Sequence, residues 1–288
     1  MFNCYILKIF VMKFKLILIV LLVNHLAIRA QSKVLYKTVG TDSLFMEIYS
    51  PKVSNNTIKP VMVFFFGGGW TSGNLDQFRP HAEYFAKRGS VTALVDYRVM
   101  SRNGTSPFAC LRDAKSAIRY LRTHAESLGI DPEKLIAAGG SAGGHLAAAL
   151  AVIDGYNEST DDPAVDCNPN ALVLFNPVLD NGPGGYGYNR IGNEYLHFSP
   201  LHNLRKGIPP TIIFLGTEDH LIPVETVKYY QRVMQKLGSR CDLHLYEGQD
   251  HGFFNYKNFE YYQKTVLEAD LFLQSLGYLE EQPKIKIE

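Results

Sequence analysis

Gly139-Gly140-Ser141-Ala142-Gly143 stands between an apolar run, Leu135 to Ala138, and an Ala-rich segment, Ala147 to Val152. In that setting the G-x-S-x-G spacing describes a sharp strand-to-helix turn that lifts a serine hydroxyl clear of a sheet. Side chains two residues to either side would collide in so tight a turn, which accounts for Gly139 and Gly143. The helix N-terminus that follows aims its dipole and free N–H groups at developing negative charge. The chemistry expected is nucleophilic attack on a carbonyl carbon, with Ser141 as nucleophile. A glycine-rich packing turn is the structural alternative.

A serine hydroxyl is a poor nucleophile until an oriented base takes its proton. The base and its supporting acid are expected after Ser141, at the ends of later strands. Two loops qualify: Gly216-Thr217-Glu218-Asp219-His220 after Thr211 to Leu215, and Gly248-Gln249-Asp250-His251-Gly252-Phe253 after Leu243 to Tyr246. Asp219 is assigned as the acid, with Glu218 as the alternative. His251 is assigned as the general base, ahead of His220 and His145. The chain order Ser, Asp, His is the one found in α/β-hydrolases.

Phe66-Gly67-Gly68-Gly69-Trp70 follows the apolar run Val61 to Phe66 directly. Successive glycines let main-chain N–H groups face a ligand without side-chain obstruction. Fixed donors at a developing oxyanion are worth roughly 10²- to 10³-fold in rate each. The oxyanion donors are assigned to the backbone N–H groups of Gly68, Gly69 and Ala142. No Lys-Ser/Thr pair follows the glycines, so the phosphate-binding loop pattern fails.

These loops need a scaffold that presents them at one edge. Val61 to Phe66, Val91 to Val95, Leu135 to Ala138, Ala171 to Phe175, Thr211 to Leu215 and Leu243 to Tyr246 read as buried strands, and Val34 to Val39 with Leu44 to Tyr49 as an antiparallel start. Between them lies helical spacing. Leu111, Ala114, Ile118 and Leu121 share one face of a helix beginning near Phe108, and Val224, Val227, Tyr230, Met234 and Leu237 another, stopped by Gly238. A last helix spans about Phe259 to Leu276. Such alternation predicts an α/β fold, a mostly parallel eight-stranded sheet flanked by helices on both faces. Asn181 to Asn193, rich in Gly, Tyr and Asn, reads as a long irregular loop.

The 288 residues suffice for one catalytic domain, expected over 31–288. A formal net charge of +1 with no basic run argues against nucleic-acid binding. Residues 1–30 read as a secretory signal: Met12-Lys13-Phe14-Lys15, an apolar run from Leu16 to Val23, then Ala30 as the small residue before the mature start. Translation starting at Met12 and an uncleaved N-terminal anchor are the alternatives. That run is too short to span a bilayer, which needs about 20 residues. The expected location is secreted or periplasmic, with no stable membrane association once the signal is removed. Signal removal leaves Cys110, Cys167 and Cys241, which are read as buried free thiols with one bridge as the alternative. None has metal-ligand spacing.

With Gly67 to Trp70, Ser72-Gly73, Asp96-Tyr97-Arg98, Asp113 to Lys115, Gly129-Ile130-Asp131-Pro132 and Gly139 to His145 in view, the chain resembles the hormone-sensitive-lipase-like and feruloyl-esterase-like branch of the α/β-hydrolases, over roughly Leu44 to Leu276. It is similar to bacterial carbohydrate-ester esterases of the acetylxylan and feruloyl type. The resemblance implies hydrolysis through an acyl-enzyme, with no metal or organic cofactor, on a small-molecule or polysaccharide ester. Serine exopeptidases of prolyl-peptidase type share the triad order, and a catalytically silent binding protein on this fold is the reading from another class. Members of the family commonly carry His before the glycines. Here Phe66 leaves the bracing of that loop to packing or another group. Asp96, Arg98 and Asp113 are expected to be structural. Trp70 and the aromatic loop around Tyr186, Tyr188 and Tyr195 are expected to line a sugar or aromatic-acid pocket, with packing within the loop as the alternative for the tyrosines.

Overall fold

The computed structural model describes residues 31–51, 58–281 and 287. The expected signal, 1–30, lies outside the described residues, and Gln31–Glu288 forms one unit by itself.

Eight strands form one sheet: β1 (Gln31–Val39), β2 (Asp42–Tyr49), β3 (Lys59–Phe65), β4 (Val91–Val95), β5 (Ile130–Gly140), β6 (Ala171–Phe175), β7 (Thr211–Gly216) and β8 (Cys241–Tyr246). Their spatial order is β1-β2-β4-β3-β5-β6-β7-β8. β1 and β2 pair antiparallel, as do β2 and β4, and every later pair is parallel. The apolar runs are continuous because both faces of the parallel strands are covered: all residues of β4, β6 and β7 are buried. Parallel neighbours require crossover segments, which here include α1 (Arg79–Lys87), α2 (Pro107–Thr123), α3 (Ala142–Val152) and α4 (Val224–Lys236), while α5 (Phe259–Ser275) follows the last strand.

The chain builds outward from β3 to β4 and then returns to place β5 on the other side of β3. This reversal is a topological switch point, where α/β sheets open a crevice beyond the strands' carboxyl ends. The register aligns those ends: Phe65 pairs with Gly139, Gly140 with Phe175, Phe175 with Phe214, and Gly216 with Tyr246. The loops after β3, β5, β7 and β8 therefore leave the sheet along one rim.

Two readings change, and the reading of the thiols stands. β5 extends well beyond Leu135 to Ala138, starting at Ile130. Asn181 to Asn193 is not wholly irregular. It holds a helical turn at Tyr188–Ile191 and enters a 3-10 turn at Gly192–Glu194, and further turns follow at Tyr195–Phe198 and Pro200–Asn203. Cys110, Cys167 and Cys241 are all free and buried, which removes the disulfide alternative. Among the described residues no helix is long and apolar enough to cross a membrane.

Charges are buried only where they are satisfied. Asp113 accepts from Lys37 Nζ at 2.7 Å, from the Arg98 backbone N–H at 3.0 Å and from the Arg98 guanidinium at 2.8 and 2.9 Å, so α2 is tied to β1 and the loop after β4. Asp96 pairs with Arg102 at 2.6 Å. All three expected structural residues thus sit in ion pairs of the scaffold. On the opposite face Asp270 of α5 accepts from Arg88 at 2.5 and 3.0 Å and from the Tyr84 hydroxyl at 2.5 Å. Burial pushes the Asp270 carboxyl up, and hydrogen bonds from Arg88, Gln274 and Tyr84 outweigh it, so its pKa lies below the ordinary carboxylate value. A carboxylate with a lowered folded pKa contributes stability that is complete above its unfolded value and is lost as pH falls through the folded one. Asp270→Ala should cost about 3–5 kcal/mol at neutral pH by taking the carboxylate from the buried Arg88 guanidinium, which keeps its contact to Glu280 O at 2.6 Å. In urea unfolding the gap between wild type and variant should close on acidification. An unchanged midpoint at neutral pH would show that this pair does not hold α1 to α5.

Candidate active site

β5 ends in a turn that reverses direction within one residue. Ser141 has φ 54° and ψ −119°, between strand and helix. That conformation costs a non-glycine residue about 1–3 kcal/mol and persists only where its surroundings enforce it. Here every backbone group of Ser141 is engaged. Its N–H donates to Phe175 O at 3.0 Å, and its carbonyl accepts from His145 N at 2.9 Å and Val178 N at 3.1 Å. The flanking glycines are required by contact rather than by backbone angle. A Cβ on Gly143 would fall 2.0 Å from Phe65 O, and one on Gly139 would fall 2.4 Å from Gly143 O.

The three side chains named from the sequence converge. His251 Nε2 lies 2.9 Å from Ser141 Oγ, and His251 Nδ1 lies 2.8 Å from Asp219 Oδ2. A carboxylate opposite Nδ1 places the ring proton there and leaves the Nε2 lone pair facing the hydroxyl. The Asp219 side chain is fully buried, and its other oxygen accepts from the backbone N–H groups of Leu221 and Ile222, each at 2.9 Å. The competing residues are elsewhere. Glu218 and His220 are exposed. His145 is buried in α3, where Nε2 lies 3.0 Å from Phe198 O and burial lowers its pKa to about 3. Asp250 accepts from the His251 backbone N–H at 2.6 Å and so shapes the turn that carries the imidazole.

The glycine loop after β3 lies against this turn. A Cβ on Gly67 would reach within 3.2 Å of Ser141 Cβ. Gly68 adopts φ 129°, and a Cβ there would sit 2.2 Å from Ser72 O, so only glycine fits. Among the described residues the backbone N–H groups of Gly68, Gly69 and Ala142 have no protein acceptor. Gly69 and Ala142 are buried, where backbone amides are almost always paired, and Gly68 is exposed on the same loop, so these N–H groups are left available beside the Ser141 turn.

Phe66 is held by packing. Its ring stacks on Tyr97 at 4.1 Å, and the Tyr97 hydroxyl donates to Phe66 O at 2.5 Å. Trp70 is only 1% exposed, at φ 58°, with its ring edge-on to His145 at 5.1 Å. It therefore braces the loop from behind rather than presenting a face to a ligand, which corrects the expectation for this residue. Tyr186 does flank the loop: a Cβ on Gly69 would lie 2.7 Å from its hydroxyl. Tyr188 bonds Asn193 at 3.4 Å and packs edge-on to Tyr195, within its own segment.

Two residues not read from the sequence belong here. Arg190 donates to Gly69 O and, at 3.1 Å, to Thr71 Oγ1, while its guanidinium lies over the Trp70 and Tyr186 rings at 5.2 and 5.5 Å. Asn176, fully buried at the end of β6 with φ 33°, brings Nδ2 to 3.2 Å from His251 Nε2. Neither carries a local motif, because their partners are remote in sequence. Among the described residues no group of three or more His, Cys, Asp or Glu side chains is placed to hold a metal ion.

The family model described as BD-FAE matches residues 46–180, and the dienelactone hydrolase family model matches residues 186–274. Among solved structures, the apo form of esterase 2 from Thermogutta terrifontis is similar, with 44% identity and a TM-score of 0.83 over 88% of this chain and 97% of that one. Structures of the same esterase with bound propionate and butyrate match at 42% identity, with TM-scores of 0.83 and 0.84. Two curated relatives are a probable isoprenylcysteine alpha-carbonyl methylesterase of Arabidopsis thaliana, 29% identical, and an acetylxylan esterase of Xylanibacter ruminicola, 26% identical. The matches cover 72% and 73% of this chain and 48% and 44% of those proteins, so the chain spans about half the length of these relatives.

The Asp219–His251 pair can be tested without removing either residue. In Asp219→Asn the Oδ1 position keeps its two backbone donors, so the amide NH2 must face Nδ1 and drive the ring proton to Nε2. The imidazole then cannot accept from Ser141. Labelling of Ser141 by a fluorophosphonate should slow by about 10³- to 10⁴-fold while the melting temperature stays near wild type. Labelling at the wild-type rate would remove Asp219 from the assignment.

Proposed function

The chain belongs to the α/β-hydrolase esterases of the BD-FAE type, and from that premise we propose that it is a serine carboxylic-ester hydrolase acting through an acyl-enzyme on short acyl or aryl esters of carbohydrates. The observation that carries the proposal is the chain of contacts from the Ser141 hydroxyl through His251 to Asp219, at 2.9 and 2.8 Å.

Ser141 Oγ attacks the ester carbonyl as its proton passes to His251 Nε2, and the resulting imidazolium faces the Asp219 carboxylate. Charge collects on the carbonyl oxygen, where the N–H groups of Gly68, Gly69 and Ala142 are free to donate. His251 then returns the proton to the departing alcohol, leaving an acyl group on Ser141. A water molecule, deprotonated by the same imidazole, releases the acid.

Short acyl chains are favoured by the likeness to an esterase with propionate- and butyrate-bound forms. A carbohydrate alcohol is favoured by the likeness to an acetylxylan esterase. Tyr186, beside Gly69, is the aromatic group we assign to the substrate side. Residues 1–30 we assign to an export signal on the strength of the Lys13 to Val23 pattern, and the N-terminal sequence of the secreted or periplasmic protein tests this.

Ser141→Ala should lower kcat on p-nitrophenyl acetate by about 10⁶-fold with the fold intact. In a panel of acetylated xylan, feruloylated xylan, simple aryl esters, a prenylcysteine methyl ester and aminoacyl amides, the xylan esters should give the highest kcat/KM. Preference for the amides would identify an exopeptidase, preference for the methyl ester would move the substrate class, and turnover of none would identify a silent binding protein.

A further inference from the structure

Two loops of this site come from opposite ends of the chain, and no backbone hydrogen bond joins them among the described residues. One is the glycine loop after β3 and the other carries His251. Phe66, before the glycines, offers no polar side-chain atom to fix the first. What does join the loops is a series of side-chain amides. The Gly67 N–H donates to Gln77 Oε1 at 2.6 Å. Gln77 Nε2 donates to Asn255 Oδ1 at 3.1 Å, across 178 residues of sequence. Asn255 Nδ2 donates to Gly252 O at 2.7 Å. The Gly252 N–H donates to Asn176 Oδ1 at 3.1 Å, and Asn176 Nδ2 faces His251 Nε2 at 3.2 Å.

The direction of this series is set by the backbone. Gly67 can only donate, so the Gln77 oxygen must face it and the Gln77 NH2 must face Asn255. Gly252 O can only accept, which orients Asn255. Gly252 N–H can only donate, which orients Asn176 with its NH2 towards the imidazole. Gln77 is itself held in a single 3-10 turn, Leu75–Gln77, capped by the Asn74 side chain on Asp76 N. A carboxylate or an apolar group at Gln77 or Asn255 breaks the order, because each position needs an acceptor on one side and a donor on the other.

Resting on the serine-esterase reading, we propose that Gln77 and Asn255 are positioning residues that keep the oxyanion donors of the glycine loop in register with His251. They touch neither the reacting carbonyl nor the serine. Their effect is to hold two loops at one spacing, so that the oxygen receiving charge and the base receiving the proton are served at the same moment. Loss of that registry weakens transition-state contacts and leaves ground-state binding largely untouched, which appears in kcat rather than KM.

The test uses the full chain with p-nitrophenyl acetate, measuring kcat and KM for Gln77→Met, Gln77→Glu, Asn255→Ala and the double variant Gln77→Met/Asn255→Ala, with Ser141→Ala alongside. Removing an oxyanion donor outright costs about 10²- to 10³-fold, so displacing one should cost about 10-fold in kcat, with KM within about twofold. Gln77→Glu keeps the contact to Gly67 and loses the donor to Asn255, and it should lose as much kcat as Gln77→Met. The double variant should lose no more than the worse single variant, as members of one unit do. Wild-type kcat in Gln77→Glu or Asn255→Ala, or additive losses in the double variant, would overturn the proposal while Ser141-dependent turnover stands. If Gln77→Met does not fold, Gln77→Glu and Asn255→Ala still decide. Turnover that survives Ser141→Ala would instead defeat the esterase reading, and the positioning role with it.

Discussion

A serine with φ 54° between a strand and a helix is a local cost that the rest of the molecule must meet. It is held there by hydrogen bonds to Phe175, His145 and Val178, and by the approach of two backbones that only glycine at 139 and 143 permits. Those bonds exist because β5 lies between β3 and β6, with their carboxyl ends in register. The same alignment puts the loops after β7 and β8 on that rim, so the acid and the imidazole arrive from later strands without further adjustment. Sheet topology, turn strain and site geometry are therefore one constraint seen at three scales.

Charge placement follows the same division. The rim contains one fully buried carboxylate side chain, Asp219, which faces His251 and two backbone N–H groups. The buried carboxylates Asp113 and Asp270 lie in the scaffold and are matched there, Asp113 with Lys37 and Arg98 and Asp270 with Arg88. The buried thiols follow this pattern, since burial raises the Cys110 and Cys241 thiols, the latter to about 12, and leaves them poor nucleophiles.

Most of the sheet was legible because strands covered on both faces must be apolar throughout, and Val61 to Phe65 or Ala171 to Phe175 can be little else. Ser141, Asp219 and His251 were legible because polar, chemically capable residues directly after such strands stand out against them. α1 was missed although Ala82, Phe85 and Ala86 share its buried face, because Arg79, Pro80, Glu83 and Lys87 dilute the pattern over a short element. Trp70 was misjudged because an aromatic beside a glycine loop looks the same in sequence whether it faces a ligand or the core. Gln77, Asn176, Arg190 and Asn255 were invisible for a different reason. An amide or guanidinium acquires its role from a partner 75 to 178 positions away, and no periodicity records that.

The account stands on covalent chemistry at one oxygen. Acid quenching of the protein during steady turnover of an aryl acetate, followed by peptide mass analysis, reads that chemistry directly. The account predicts one added acetyl group, carried by the peptide containing Ser141 and lost on further incubation without substrate. Turnover with no acylated peptide under rapid quench, or an acetyl group on another residue that forms and decays at the turnover rate, would contradict it.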